Sequence, residues 1–91
     1  MIETNPLPIA GAAIAETKPH ADHRGVFGRF FCREELGLVF GKREIVNVNF
    51  STTSQAASIR GLHFQHPPKA EMKLVRCLRG AVFDVIVDLR A

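Results

Sequence analysis

An arginine and a histidine lie three residues apart in the alternating segment that runs from Ser58 to Gln65. His63 carries the side chain that most often moves a proton near neutral pH. Arg60, together with Lys73 a short distance downstream, could hold a developing oxyanion and a phosphate group. The three residue types therefore indicate proton abstraction next to a carbonyl on an anionic substrate, but basic strand proteins of other functions contain them too.

The sequence around these three residues is more specific than their chemistry. Five short segments follow one another along the chain: Arg24-Gly25-Val26-Phe27, Asn47-Val48-Asn49-Phe50-Ser51, Arg60-Gly61-Leu62-His63-Phe64-Gln65, Lys73-Leu74-Val75-Arg76 and Val82-Phe83-Asp84-Val85-Ile86-Val87-Asp88-Leu89-Arg90. In this order they resemble the N-terminal half of the dTDP-4-dehydrorhamnose 3,5-epimerase family, which makes deoxysugar nucleotides. The resemblance runs from about Ala15 to the last residue.

The resemblance implies a role for each member of the triple. His63 would be the base that removes the proton beside the C4 ketone of a 4-keto-6-deoxyhexose, giving an enolate that is reprotonated from the opposite face. Lys73 would stabilise the enolate oxygen, and Arg60 would grip the sugar or the pyrophosphate through its planar fork. Without the resemblance, a hydrogen-bonded barrel histidine, a solvated lysine and a rim arginine explain the same residues.

Three residues near the start of the resemblance concern the nucleotide. Arg24 matches a nucleotide-contacting position of the family. Phe27 could pack against the base or belong to the core. Arg29 stands where the family usually carries a glutamate, and this reversal of charge puts the usual nucleotide contact in doubt.

Further candidates lie on the predicted strands. Asn47 and Asn49 share a strand face, so they could contact the substrate together or face solvent. The family commonly has a glutamine where Asn47 stands. Asp84 could pair with Lys73 across a hairpin, either as a structural ion pair or as a catalytic one.

Most of the periodicity is that of strands. Alternation over residues 44–51, 72–78 and 81–89 predicts three strands. Arg79-Gly80 predicts a hairpin turn between the last two, and His66-Pro67-Pro68 predicts a loop, because proline cannot join a central ladder. A single helical turn is expected over Arg33 to Leu36, ending at Gly37.

Short strands with turn signals predict an all-β sandwich or barrel. The resemblance implies a cupin-type double-stranded β-helix, or jelly roll, of which residues 1–91 would be the N-terminal portion and a single partial domain. The second half would be absent, which leaves a sheet edge and an apolar face open. We therefore expect association, and the family forms homodimers in which the N-terminal strands help to complete the neighbour's pocket.

One geometric requirement follows from strict alternation. An odd offset of three puts Arg60 and His63 on opposite faces of a regular strand. If both side chains line one pocket, the ladder must be irregular between them. Gly61 is therefore the expected position of a bulge or kink.

Composition narrows the class of protein. With 46% apolar and 23% charged residues, the sequence is not of the disordered type. No apolar run reaches the roughly 18 residues that cross a bilayer. The apolar segment from Pro6 to Ala15 is interrupted by prolines, so an early strand with its lead-in loop is favoured over a signal peptide. Two cysteines without metal spacing indicate a reduced, cytoplasmic setting.

Charge and aromatic content bear on the partner. A net charge of +3 is mild, and both Trp and Tyr are absent, so nucleic acid is not expected. A nucleotide sugar, which bears a pyrophosphate, explains the cations of the last third of the chain.

Gln65 stands two residues after His63, and His66 falls on the other strand face, so no three-ligand metal site follows from spacing. Neither a metal nor another cofactor is expected, in line with the family.

Two alternatives remain open. The family's general acid is a tyrosine and an aspartate orients its base, and the resemblance places both in the second half of the fold. Since the 91 residues contain no tyrosine, full activity of this chain alone is not expected. The first alternative is a catalytically inert sugar-nucleotide-binding or oligomerisation module. The second is a metal-dependent cupin enzyme.

Overall fold

The computed structural model of the chain describes residues 1–90. Within that range the regular elements are four strands and one short helix: β1 (Ile2–Pro6), β2 (Ala13–Thr17), β3 (His20–Asp22), β4 (Gly25–Phe27) and α1 (Gly37–Phe40). Strands therefore dominate the regular structure. This result confirms the all-β class and the presence of one short helical turn.

The first two strands form an antiparallel pair. Ile2 lies opposite Thr17, and Pro6 lies opposite Ala13. The connecting loop is held by a hydrogen bond of 2.9 Å from the Leu7 N–H to the Ala12 carbonyl. The apolar segment that begins at Pro6 thus leads through a loop into a strand, as the sequence indicates.

The third and fourth strands form a tight hairpin that the sequence analysis did not predict. His20 pairs with Phe27 and Asp22 pairs with Gly25. The Asp22 carboxylate accepts a hydrogen bond of 2.8 Å from the Arg24 N–H, the local bond by which aspartate favours turns. Gly25 has a φ of +141°, which a side chain would rarely allow.

A small apolar core lies between the first sheet and the helix. Its buried members are Ile2, Leu36 and Phe40, and the partly buried Ala15, Cys32 and Val39 pack against them. Leu36 is the most completely buried, at 1% exposure.

The helical turn is displaced from its expected position. Residues 33–36 form a turn, and the helix itself is Gly37–Phe40, so Gly37 begins the helix instead of ending it. The Phe40 N–H donates to the Leu36 carbonyl at 2.9 Å. Because residues four apart lie on one face of a helix, this placement buries Leu36 and Phe40 together.

The chain divides into two units of internal contact. The first spans Met1–Val48, and the second begins at Asn49. The first unit contains all five regular elements of the described range.

The three strands expected from the alternating segments do not form. Residues 44–51, 72–78 and 81–89 are outside regular structure, and no hairpin flanks Arg79-Gly80, although Gly80 has a φ of +85°. Val48 and Phe83, which lie in two of these segments, are 85% and 94% exposed. The physical reason is that alternation specifies two faces of a strand but supplies no neighbour, and a strand needs one for its backbone hydrogen bonds.

The loop expected at His66-Pro67-Pro68 is confirmed. Residues 67 and 68 lie in a turn, and the Lys69 N–H donates to the His66 carbonyl at 2.8 Å. Proline thus ends the segment that contains His63, as its missing N–H requires.

None of the helices in residues 1–90 is long and apolar enough to cross a membrane.

Candidate functional site

An open concavity of about 450 Å³ lies on the β3–β4 hairpin. Its walls are formed by the two strands and their turn, including His20, Asp22, Arg24, Val26 and Phe27. All five are exposed, so a ligand could reach each of them. Arg24 and Phe27 are the two predicted nucleotide contacts, and the hairpin brings them to the same concavity.

Asp22 orients the guanidinium group of Arg24. Nη2 of Arg24 donates to Oδ2 of Asp22 at 2.7 Å, and Nε donates to the same oxygen at 3.2 Å. The side-chain hydrogen bond from Arg24, followed by the one from its backbone N–H, lowers the pKa of Asp22. The fork of Arg24 is therefore fixed at one edge, while Nη1 takes no part in these bonds.

Phe27 is a surface residue in this unit and not part of the core. Its side chain is 67% exposed, at the end of β4 and opposite His20 in the ladder. Of the two roles that the sequence left open, the exposed ring fits stacking on a planar ligand and excludes core packing here.

Arg29 lies two residues beyond Phe27, outside the lining of the concavity, and makes an ion pair. Its Nη1 lies 2.8 Å from Oε1 of Glu35. The other oxygen of Glu35 accepts hydrogen bonds from the N-terminal amine at 2.5 Å and from the Ile2 N–H at 2.8 Å. These two bonds, followed by the one from Arg29, lower the pKa of Glu35 to about 2.

Sequence reasoning missed Glu35. The residue lies six positions from Arg29 and 33 from Ile2, so no strand or helix periodicity connects it to either partner. Glu35 meets these partners only because β1 lies close to the turn at residues 33–36. The positive charge of Arg29 indicates that an acidic partner is possible but does not indicate its position in the sequence.

In the second unit, Arg60 closes a loop. Its Nη2 donates to the Thr52 carbonyl at 3.2 Å and to Oγ1 of Thr53 at 3.3 Å. Within the same loop, the Ser58 hydroxyl donates to the Gln55 carbonyl at 2.8 Å. The guanidinium of Arg60 is thus held by backbone and hydroxyl oxygens.

His63 is exposed and lies beside Gly61. A Cβ atom added to Gly61 would be 3.4 Å from Nδ1 of His63 and 3.4 Å from its backbone nitrogen. Gly61 has a φ of +99°, so the backbone between Arg60 and His63 is irregular. The expected irregularity is therefore present at Gly61, but it is not a β-bulge, because no ladder forms there.

The remaining predicted residues are all exposed: Asn47 in the first unit, and Asn49, Lys73 and Asp84 in the second. The ion pair considered between Lys73 and Asp84 is absent from the described part of the chain, because the hairpin that would join them does not form. Convergence of His63, Lys73 and Arg60 in one pocket stays a prediction. Residues 1–90 contain no cluster of three His, Cys, Asp or Glu side chains placed to hold a metal ion.

Comparison with known proteins identifies the family. The family model described as dTDP-4-dehydrorhamnose 3,5-epimerase matches residues 6–91. The chain belongs to this family. The resemblance carried by the five segments is thereby confirmed, and it extends towards the N-terminus beyond Ala15.

Three curated epimerases match the chain at similar levels of sequence identity. A dTDP-4-dehydrorhamnose 3,5-epimerase of Sinorhizobium fredii is 40% identical over 84 residues, which are 92% of this chain and 43% of the relative. One of Shigella flexneri is 41% identical over 83 residues, covering 90% and 45%. A dTDP-4-dehydrorhamnose 3-epimerase of Streptomyces niveus is 37% identical over 86 residues, covering 93% and 41%.

The chain spans less than half the length of these epimerases, since the matches cover 41% to 45% of them. No solved structure matches it significantly.

Proposed function

We propose that this chain provides the proton-abstracting part of a sugar-nucleotide epimerase site. The observation that carries the proposal is the family match over residues 6–91, which includes the segments around His63 and Lys73. The substrate would be a nucleotide-linked 4-keto-6-deoxyhexose of the dTDP-4-dehydro-6-deoxyglucose type. Relatives named for this chemistry support the choice.

In the proposed reaction, His63 acts as the base. Its neutral imidazole takes the proton from the carbon beside the C4 ketone, and the electron pair of the broken C–H bond moves onto the ketone oxygen. The ammonium group of Lys73 stabilises the resulting enolate oxygen. Return of a proton to the opposite face of the carbon inverts its configuration.

Binding of the nucleotide is assigned to the β3–β4 hairpin. The guanidinium of Arg24 would bind the diphosphate, since its planar fork matches phosphate oxygens. The exposed ring of Phe27 would stack on the base. Arg60, Asn47 and Asn49 would contact the sugar and the pyrophosphate.

The complete site requires groups from outside these residues. The family's general acid is a tyrosine, and the 91 residues contain none. We propose that the chain occupies the N-terminal portion of a cupin-type jelly roll, with the acid and the aspartate partner of the base supplied by the remainder of that fold. The proposed assembly is a homodimer. The exposed apolar side chains of the second unit support the need for a covering partner.

A second candidate is a sugar-nucleotide-binding module without catalysis. The hairpin concavity, which already contains Arg24 and Phe27, favours it. Such a module would bind thymidine diphosphate through the hairpin and would leave the sugar carbons unchanged.

Solvent exchange separates the two functions. The chain is incubated in deuterium oxide with dTDP-4-keto-6-deoxyglucose, and deuterium at C3 and C5 is followed by NMR. The epimerase proposal predicts deuterium at one or both carbons, because deprotonation exposes them to solvent. Binding of thymidine diphosphate without exchange supports the binding module instead. Stoichiometric bound metal in the purified protein would favour a metal-dependent cupin enzyme over both.

A further inference from the structure

The segment that leaves the β3–β4 hairpin lies close to the end of β2. A Cβ atom at Gly28 would be 3.3 Å from Cγ2 of Thr17 and 3.5 Å from Cβ of Pro19. The backbone at Gly28 therefore lies close to both residues. The hydroxyl of Thr17 donates to the Arg29 carbonyl at 2.6 Å. Both contacts hold the start of this segment against the first sheet.

The side chain of Arg29 continues this connection to β1. Its ion pair with Glu35 measures 2.8 Å between Nη1 and Oε1, and Oε2 of Glu35 accepts the Ile2 N–H at 2.8 Å. Ile2 belongs to β1 and to the buried core. Glu35 therefore joins the hairpin segment to the first sheet through a single carboxylate.

The Arg29–Glu35 pair differs from the other side-chain ion pairs of residues 1–90 in its environment. The carboxylate of Glu35 is 22% exposed, whereas those of Glu16, Asp22, Glu44 and Asp88 are 35% to 71% exposed. Exposed pairs contribute little because water and salt screen them, and screening weakens with burial. The Arg29–Glu35 pair is thus the one placed best to hold two segments together.

We propose that Arg29 is a positioning residue for nucleotide binding. Through Glu35 it fixes the β3–β4 hairpin, with Arg24 and Phe27, in one orientation on the first sheet. The inference rests on the proposed function in assigning the nucleotide to the hairpin.

A double-mutant cycle tests the connection without any ligand. Amide hydrogen exchange is measured in His20–Phe27 and in β1 and β2, for the native chain, Arg29→Gln, Glu35→Gln and the double variant. We expect Arg29→Gln to speed hairpin exchange about threefold to tenfold in the native background and not at all in the Glu35→Gln background. Equal effects of Arg29→Gln in both backgrounds, or none in either, would overturn the inference. Arg33→Gln, which alters an exposed pair of 3.6 Å with Glu44, is the control and should change nothing.

Calorimetric titration with thymidine diphosphate tests the consequence for binding. Arg29→Gln should weaken binding about threefold to tenfold, Arg29→Lys should restore most of it by keeping the charge beside Glu35, and the loss should vanish in the Glu35→Gln background. A loss that persists in that background means direct contact with the nucleotide and refutes positioning. If the native chain does not bind thymidine diphosphate, the proposed function fails, while the exchange cycle still decides the connection between Arg29 and Glu35.

Discussion

The ring of His63 lies next to Gly61, since a Cβ atom at Gly61 would be 3.4 Å from Nδ1 of His63. The lack of a side chain at Gly61 therefore leaves space beside the proposed base. The positive φ of +99° at Gly61 is the second reason for glycine there. Gly61 thus influences the backbone conformation of the proposed catalytic segment and the space around the His63 ring.

Replacement of Gly61 by alanine should disturb His63. The substitution forces an L residue into the left-handed region, at a cost of about 1–2 kcal/mol, and places a methyl group against the ring. We expect altered NMR shifts of the His63 ring and slower deuterium exchange into the substrate. Gly80→Ala is the matched control, because Gly80 also has a positive φ, of +85°, but no atom within 4 Å of an added Cβ. Equal ring shifts in both variants would refute the role assigned to Gly61.

Glu35 should make stability depend on pH in the acidic range. Its folded-state pKa of about 2 is below the ordinary 4.5, so the folded state prefers the ionised carboxylate. The contribution is complete above pH 4.5 and is lost as the pH falls towards 2. The free energy of unfolding, measured in urea, should therefore differ between native chain and Glu35→Gln near neutral pH and converge in acid. Glu34→Gln, at an exposed neighbouring position, should show no such convergence, and a pH-independent difference for Glu35→Gln would contradict the assignment.

Arg24→Lys should weaken nucleotide binding although it keeps the charge. Lysine cannot reproduce the paired bonds that Nε and Nη2 make to Asp22, and it offers no fork to phosphate. Loss of one charge-assisted hydrogen bond predicts about a tenfold rise in the dissociation constant for thymidine diphosphate. Titration calorimetry measures it, with Arg33→Lys as the control at an exposed arginine. An unchanged constant for Arg24→Lys would remove Arg24 from the proposed site.

The second unit should associate through its apolar side chains. Phe83 is 94% exposed and Ile59 is 93% exposed, while Leu36 of the first unit is only 1% exposed. Sedimentation velocity at micromolar concentrations should therefore show species larger than a monomer. Phe83→Ser should reduce association and leave the fold of the first unit intact, whereas Leu36→Ser should unfold it. A single sharp monomer boundary for the native chain would contradict the prediction.

The parts of the fold that follow from neighbouring residues were predictable. Proline ends the His63 segment at His66-Pro67-Pro68. A helical turn lies close to where it was expected, although Gly37 begins the helix instead of ending it. Arg24, in the hairpin turn, and Phe27, at the end of β4, line one concavity because they are close in sequence, although the hairpin itself was not predicted. Each of these features involves residues that are close to one another in the sequence.

Features that need a distant partner were not predictable. The alternating residues 44–51, 72–78 and 81–89 have the pattern of strands, yet pattern alone supplies no hydrogen-bonded neighbour. The Arg29–Glu35 pair depends on the tertiary approach of β1 to the 32–36 turn, which no periodicity encodes. His63 and Lys73 were chosen as site residues from family motifs and not from geometry. The convergence of their side chains in one pocket therefore has to be tested by experiment.

Deuterium incorporation by two histidine variants tests the central proposal most directly. His63→Asn and His66→Asn change the same kind of side chain in the same segment, and the ring of His66 packs edge-on against Phe64, 5.0 Å between centroids. With dTDP-4-keto-6-deoxyglucose in deuterium oxide, the native chain and His66→Asn should exchange at C3 or C5, and His63→Asn should lose about 100-fold or more of the rate. Exchange by His63→Asn at the native rate would contradict the assignment of His63 as the base, and no exchange by the native chain would support the binding module instead.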